Sequence, residues 1–262
     1  MRMKKKFATV LLGATYYALG YWGSHDDCLI LEESQLVGGD FHAMLHPARM
    51  ENVGEKEEQS ELGKLMREYG VWTEKGFDLL KAAPVAHEYV ARQIQEGKAI
   101  LLDCRLLGIR LEADAYVIRY FCNEGICEVR ADQVIDTTIS RISAPDLTKT
   151  VRQTLNAFTI AQEPGFDEKL WAVCPDIEIL SGFNENEKLL RFPAQLDETI
   201  VPAYQRMVGT WKKAFPAGEE KLLFVADTLD AVYESTGDGI APWNGGRFQH
   251  PASAYGKGGE AQ

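Results

Sequence analysis

The stretch Phe7 to Asp40, FATVLLGATYYALGYWGSHDDCLILEESQLVGGD, constrains the fold more than any other part of the chain. An apolar run, Phe7 to Leu12, meets Gly13; a short helical stretch follows, and a second apolar run ends on Glu32 and Glu33. Continuous apolar runs joined through a helix read as parallel strands buried on both faces. A glycine at the first turn admits positive φ, and the free amides of the helix start beyond it favour a pyrophosphate. Glu32 stands nineteen positions after Gly13, where a carboxylate can accept hydrogen bonds from a ribose diol, and Gly38-Gly39 follows. This layout predicts an adenine-dinucleotide site at the start of a doubly wound sheet. Its cofactor-binding residues would include Gly13, Ala14, Thr15, Tyr16, Glu32, Glu33, Gly38 and Gly39.

Gly13-Ala14-Thr15-Tyr16-Tyr17-Ala18 fits G-x-G-x-x-G/A at its first and last positions. Thr15 puts a Cβ where glycine normally lets the backbone approach the pyrophosphate, although its hydroxyl could itself donate to a phosphate. The same segment allows another reading. Arg2, Lys4, Lys5 and Lys6 before the apolar run to Gly20 resemble the start of a secretory signal, with Ala18-Leu19-Gly20 as a small-residue cleavage site. Tyr16 and Tyr17 interrupt that run, and Phe7 to Leu12 is needed as a strand, so the expectation is a retained N-terminus and a cytoplasmic protein.

A net charge of −11 argues against a nucleic-acid footprint, which requires a basic face. No apolar run reaches the ~18 residues of a membrane span. The expected partner is therefore a small-molecule substrate, without nucleic acid or membrane, in a possible homo- or hetero-oligomer. The five cysteines, Cys28, Cys104, Cys122, Cys127 and Cys174, show no C-x-x-C spacing. Cys122 and Cys127 flank the turn Asn123-Glu124-Gly125-Ile126 and could face each other as a redox pair or as reduced thiols. The five histidines show no metal-ligand spacing, so no metal is expected.

Further along, Glu58 to Tyr69 and Val85 to Gln95 carry apolar residues at helical spacing, the second with Ala82-Ala83-Pro84 as its start. The period then changes. Ala99 to Leu102 reads as a short buried strand, and Leu106 to Leu111, Tyr116 to Cys122 and Ile126 to Val129 form a β-meander. Ala131 to Thr138, ADQVIDTT, reads as a separate buried strand ending in polar residues. Leu170 to Val173, Ile177 to Leu180 and Lys188 to Phe192 read as short strands. A helix is expected over Leu196 to Ala214 with Ile200, Tyr204, Met207, Val208 and Trp211 buried. Lys221 to Asp227 reads as another buried parallel strand.

This sequence of motifs resembles the glutathione-reductase-like superfamily of FAD-dependent oxidoreductases. Glu32, Gly38 and Gly39 match its E-x5-G-G pattern. Val134, Ile135, Asp136 and Thr138 match its V-I-D-A-T-G strand, with Ile139 where that family has glycine. The resemblance covers about the first 140 residues. It implies an α/β fold: a Rossmann-like parallel sheet with a crossover β-meander and a small inserted cap region. It also implies FAD as cofactor, with Asp136, Thr137 and Thr138 at the nucleotide site and Asn244 in a C-terminal loop facing the cofactor. The chain would then be one domain, with core segments 1–50, 98–140 and 220–262, a helical insert 51–97 and a cap or substrate-side segment 141–219.

The resemblance implies an FAD-dependent oxidoreductase acting on a small molecule, alone or as a subunit of a larger complex. No cysteine pair follows Gly38-Gly39, so the redox disulfide of the disulfide reductases is absent. His42, His46 and His250 are candidate polar groups, and Tyr16, Tyr17 and Trp243 candidate ring contacts, but no catalytic residue can be named. Two alternatives stay open: an inactive Rossmann-like scaffold, for which Thr15 and Ile139 speak, and an NAD-dependent dehydrogenase.

Overall fold

Residues 6–45, 60–73, 76–112, 114–138, 142–143, 148–218, 220–235 and 248–249 are described by a computed structural model of the chain. In order, the elements are β1 (Lys6–Leu12), α1 (Tyr16–Ser24), β2 (Cys28–Leu31), α2 (Gly39–His42), α3 (Glu61–Glu68), β3 (Trp72–Thr73), β4 (Gly76–Phe77) and α4 (Leu79–Gln95). β5 (Ala99–Leu101), β6 (Arg105–Glu112), β7 (Ala115–Cys122) and β8 (Gly125–Asp136) follow. Next come β9 (Thr148–Ile160), α5 (Phe166–Val173), β10 (Glu178–Ser181), β11 (Glu187–Ala194), α6 (Ile200–Ala214), β12 (Leu222–Val225), β13 (Asp230–Ser235) and β14 (Phe248–Gln249).

These elements gather into two compact units where the sequence suggests one. The first comprises 1–40, 49–148 and 235–262, and the second 41–48 and 149–234.

The first unit is built on a sheet of order β5-β2-β1-β8-β7-β6, with β14 also paired to β8. β5, β2, β1 and β8 run parallel, β7 is antiparallel to β8, and β6 is antiparallel to β7. Alternation along the strands fills both faces, as the apolar runs require. Leu11, Ile30 and Ile135 point into a core with Ala18, Leu19 and Trp22 of α1, Met66 of α3 and Val85, Ala86 and Tyr89 of α4. Val10, Leu12, Leu29 and Val134 point the other way, against Tyr116, Ile118 and Tyr120 of the meander. Gly23 lets α1 and α4 meet: a Cβ there would stand 1.6 Å from the buried Tyr89 hydroxyl.

The meander's last strand and the returning strand ADQVID are one element, β8, and not two. Its first half pairs antiparallel with β7, Cys122 to Gly125 through Tyr116 to Ala131. Its second half pairs parallel with β1, Lys6 to Arg130 through Leu12 to Asp136. The helix expected from Val85 starts earlier, at Leu79, because the Asp78 carboxylate accepts the Leu80 N–H (3.1 Å) as N-cap. Pro84 therefore lies inside α4, on its exposed side, where the missing backbone donor costs least.

The second unit packs α5 and α6 with a five-stranded sheet of order β10-β11-β9-β12, in which β13 also pairs with β9. Three expectations change here. Leu170 to Val173 is helical, in α5. Lys221 to Asp227 supplies β12, which is antiparallel to β9 and belongs to the second unit. In α6 the buried face is Ala203, Met207, Trp211 and Ala214, and Tyr204 is exposed. Pro202 sits in the first turn of that helix, where its missing N–H leaves no intrahelical bond unmade.

Candidate functional site

In the first unit, adjacent parallel strands deliver three loops to one edge of the sheet: the Gly13 turn after β1, the Glu32 loop after β2, and Thr137-Thr138 after β8. Ligands of open α/β sheets lie at this carboxyl edge.

Gly13 is held from both sides, its N–H donating to Leu31 O (2.8 Å) while Thr137 Oγ1 donates to the carbonyls of Leu12 (2.8 Å) and Gly13 (3.1 Å). Its φ is +88°, and a Cβ would come within 2.8 Å of Thr138 Cγ2 and 3.2 Å of Thr137 Oγ1. Only glycine satisfies both the conformation and the approach. Thr15 is the N-cap of α1, and its hydroxyl accepts the Ala18 N–H at 3.2 Å. That bond uses a lone pair and leaves the hydroxyl proton free to donate, so capping and phosphate contact are compatible.

Glu32 lies beside the turn. Its Oε2 accepts the Ala14 N–H at 2.6 Å, and its Oε1 accepts the N–H and hydroxyl of Ser34 at 2.8 and 2.7 Å. A carboxylate offers about four acceptor positions, so one remains for a ribose hydroxyl. The Glu32 backbone is fixed as well, N–H to Leu101 O (2.9 Å) and C=O from the Cys104 N–H (2.8 Å). Glu33 points elsewhere and accepts the Leu106 N–H at 3.1 Å.

Asp136 is fully buried. Its Oδ1 accepts the N–H and hydroxyl of Thr138 at 2.9 and 2.5 Å, and its Oδ2 those of Ser143 at 2.9 and 2.5 Å. All four acceptor positions are filled, so Asp136 shapes the loop and has none left for a ligand. Gly38 donates to Ala14 O at 2.7 Å, and a Cβ on it would strike the Tyr16 ring at 2.7 Å. Gly38 and Tyr16 thus pack together beside the turn, and Gly39 opens α2.

The structure therefore brings together Gly13, Ala14, Thr15, Tyr16, Glu32, Gly38, Thr137 and Thr138, with Asp136 beneath them. Asn244, Ile139, Trp243, His46 and His250 lie outside the described residues. Ser34 and Ser143 were not expected. Their only signal is local: a serine two residues after one carboxylate and seven after the other, placed to donate twice. Among the described residues no group of His, Cys, Asp and Glu gathers to hold a metal ion, and no helix is long and apolar enough to cross a membrane.

No protein-family model matches the chain, and no curated protein matches it. Solved structures do. The p-nitrophenol 4-monooxygenase PnpA from Pseudomonas putida DLL-E4 matches with TM-score 0.61 and 10% identity, over 88% of this chain and 69% of that one. The myxobacterial chondrochloren halogenase CndH, a variant of FAD-dependent halogenases, matches with TM-score 0.61 and 11% identity, over 96% and 69%. Aklavinone-11 hydroxylase, solved as a ternary complex with FAD and aklavinone, matches with TM-score 0.52 and 16% identity, over 97% and 58%. The chain spans 58% to 69% of the length of these three. The likeness extends over both units, and it shows the fold of this chain to be the Rossmann-like α/β fold of FAD-binding proteins.

Proposed function

We propose that the chain is an FAD-binding oxidoreductase that acts on a small organic molecule. The observation that carries this reading is the convergence of the Gly13 turn, the Glu32 carboxylate and the Thr137-Thr138 loop at one sheet edge. The residues fit the ADP half of the cofactor. Gly13 leaves a cradle that a Cβ would fill, and α1 presents its N-terminus beside it. Glu32 keeps an acceptor position for the adenosine ribose and, as an anion, disfavours a 2′-phosphate. Gly38, Gly39, Tyr16 and Thr138 would border the cofactor, and Asp136 would hold the loop beneath. Bound flavin would supply the electron-transfer chemistry, and the chain binding, orientation and exclusion of water. The second unit, 41–48 and 149–234, is the candidate substrate-side region.

The solved neighbours include a monooxygenase, a hydroxylase and a halogenase, which supports oxidation of an organic substrate as the reaction class. The visible flavin bands in protein purified or reconstituted with FAD test the reading. With FAD bound, Glu32→Ala should weaken affinity by about 1.5–3 kcal/mol, the scale of a hydrogen bond to a charged group. Unchanged affinity removes Glu32 from the site. Wild-type protein that stays colourless after reconstitution and dialysis favours the scaffold reading, for which the Cβ of Thr15 is the specific observation.

A further inference from the structure

The tip of the β7–β8 hairpin carries a feature that the dinucleotide edge does not use. Cys122 pairs with Gly125 and Tyr120 with Cys127, so the two cysteines lie diagonally on one face of the hairpin. Their sulfurs are 3.8 Å apart, both are free thiols and both are partly exposed. Cys104, by contrast, is 2% exposed, and its thiol donates to Leu102 O at 3.4 Å. Burial, with the neighbouring Cys122, Asp103 and Cys127, pushes the Cys104 thiol up to about 12, and burial and Cys122 also raise Cys127, which stays partly exposed where Cys104 does not. Cys122 also lines an open cavity of about 300 Å³, together with Glu33, Asp103, Arg105, Phe121 and Asn123. That lining brings an arginine, a glutamate and an aspartate to the cavity that Cys122 borders. A small zwitterion, carrying a carboxylate and an ammonium group, matches both signs of charge.

We propose that Cys122 is a site of thiol–disulfide exchange with a small zwitterionic disulfide, of the amino-acid or short-peptide class, and that Cys127 resolves the mixed disulfide. In the first step the Cys122 thiolate attacks one sulfur of R–S–S–R. A Cys122–S–S–R bond forms, the R–S–S–R bond breaks, and one R–SH leaves with the proton released from Cys122. In the second step the Cys127 thiolate attacks the Cys122 sulfur and expels the second R–SH, which takes the Cys127 proton. The protein dithiol is oxidised to a disulfide and the small disulfide is reduced to two thiols, so the electrons balance without another oxidant. An S–S bond is about 2 Å long, so the sulfurs must close roughly half their present separation. Arg105 would take the carboxylate of the incoming molecule, and Glu33 and Asp103 its ammonium group.

The test is incubation of the reduced full-length chain with glutathione disulfide, read by intact mass and peptide mapping. Wild-type protein should lose two hydrogens and map as Cys122–Cys127. Cys127→Ser should stop at a mixed disulfide on Cys122, Cys122→Ser should form neither product, and Cys104→Ser should leave both steps intact. An adduct on Cys28 or Cys174 alone, or pairing that requires Cys104, overturns the assignment. The cavity has its own test: glutathione disulfide should react about tenfold or more faster than uncharged bis(2-hydroxyethyl) disulfide, the ratio worth one charge-assisted hydrogen bond. Equal rates overturn recognition by Arg105, Glu33 and Asp103. None of these readouts depends on bound flavin.

Discussion

Gly13 and Thr15 stand two residues apart and are held by different physics. At Gly13 the backbone sits at φ +88° with Thr137 and Thr138 closing over it, so Gly13→Ala meets strain and a clash together. A loss of about 1–3 kcal/mol is expected, read as a lower urea midpoint at unchanged m-value. Thr15 instead caps α1 through its hydroxyl. Glycine is nearly as good an N-cap as threonine and alanine is not. Thr15→Gly should therefore cost only a few tenths of a kcal/mol, and Thr15→Ala about 1 kcal/mol. Flavin titration separates the cap from the site. Removing the Cβ should tighten FAD binding by roughly 1 kcal/mol if it obstructs the pyrophosphate. Weaker binding in both variants would make the hydroxyl a phosphate ligand.

At the scale of elements, the junction before α6 is tuned by charge. Arg206 Nη2 lies 2.5 Å from Glu198 Oε2, which also accepts the Gln195 N–H at 2.9 Å. These donors, Arg206 foremost, hold the Glu198 carboxyl below its ordinary range. A depressed carboxyl stabilises the fold above its unfolded-state value of about 4.3 and loses that contribution as pH falls through the folded one. Glu198→Gln should thus lower the melting temperature at neutral pH, and the difference from wild type should start to narrow near the unfolded value of about 4.3 and close once the pH has fallen through the lower, folded one. A gap that persists in acid would assign the effect to packing. The elements also show what a sequence makes legible. The first strand-turn-helix-strand unit and the meander could be read because their apolar runs, glycine turn and two-residue hairpin are local signals. Gly13 and Glu32 belong to the same local pattern, whereas Thr137-Thr138 rests on the family resemblance; the parallel strands β1, β2 and β8 bring all of them to one edge. β9 was not legible. It buries Gln153, Thr154, Asn156 and Thr159; Thr154 donates to the nearby Asn156 Oδ1 at 2.8 Å, but Asn156 donates to Met44 O at 2.9 Å and Thr159 to Lys221 O at 2.7 Å, both distant in sequence. Leu155 and Ala157 of the same strand do face the second unit's core, but two apolar residues among buried polar ones are too short a period-2 signal to read. Leu170 to Val173 failed for the opposite reason, since a short apolar run fits a strand or a helix equally until its surroundings decide.

For the whole molecule, each unit has its own apolar core. The first unit offers a nucleotide edge and, on the meander, a dithiol at the hairpin tip. Both hang on β8, whose far end is Asp136 and whose near end adjoins Cys122. β8 pairs with β7 from Gly125 to Ala131 and with β1 from Arg130 to Asp136, and β14 joins it at Val134 and Ile135. Where the two ladders overlap, at Arg130 and Ala131, the strand cannot open without breaking both at once. The meander is therefore not a module that can detach, but one cooperative folding unit with the parallel core. Amide exchange should show this directly. The β8 amides from Val129 to Ile135 should be among the slowest in the chain, and those of Phe7 to Leu12 should share their opening free energy and their response to denaturant. A β8 that exchanged with the outer hairpin strand β6 instead would mean that the sheet divides along its middle.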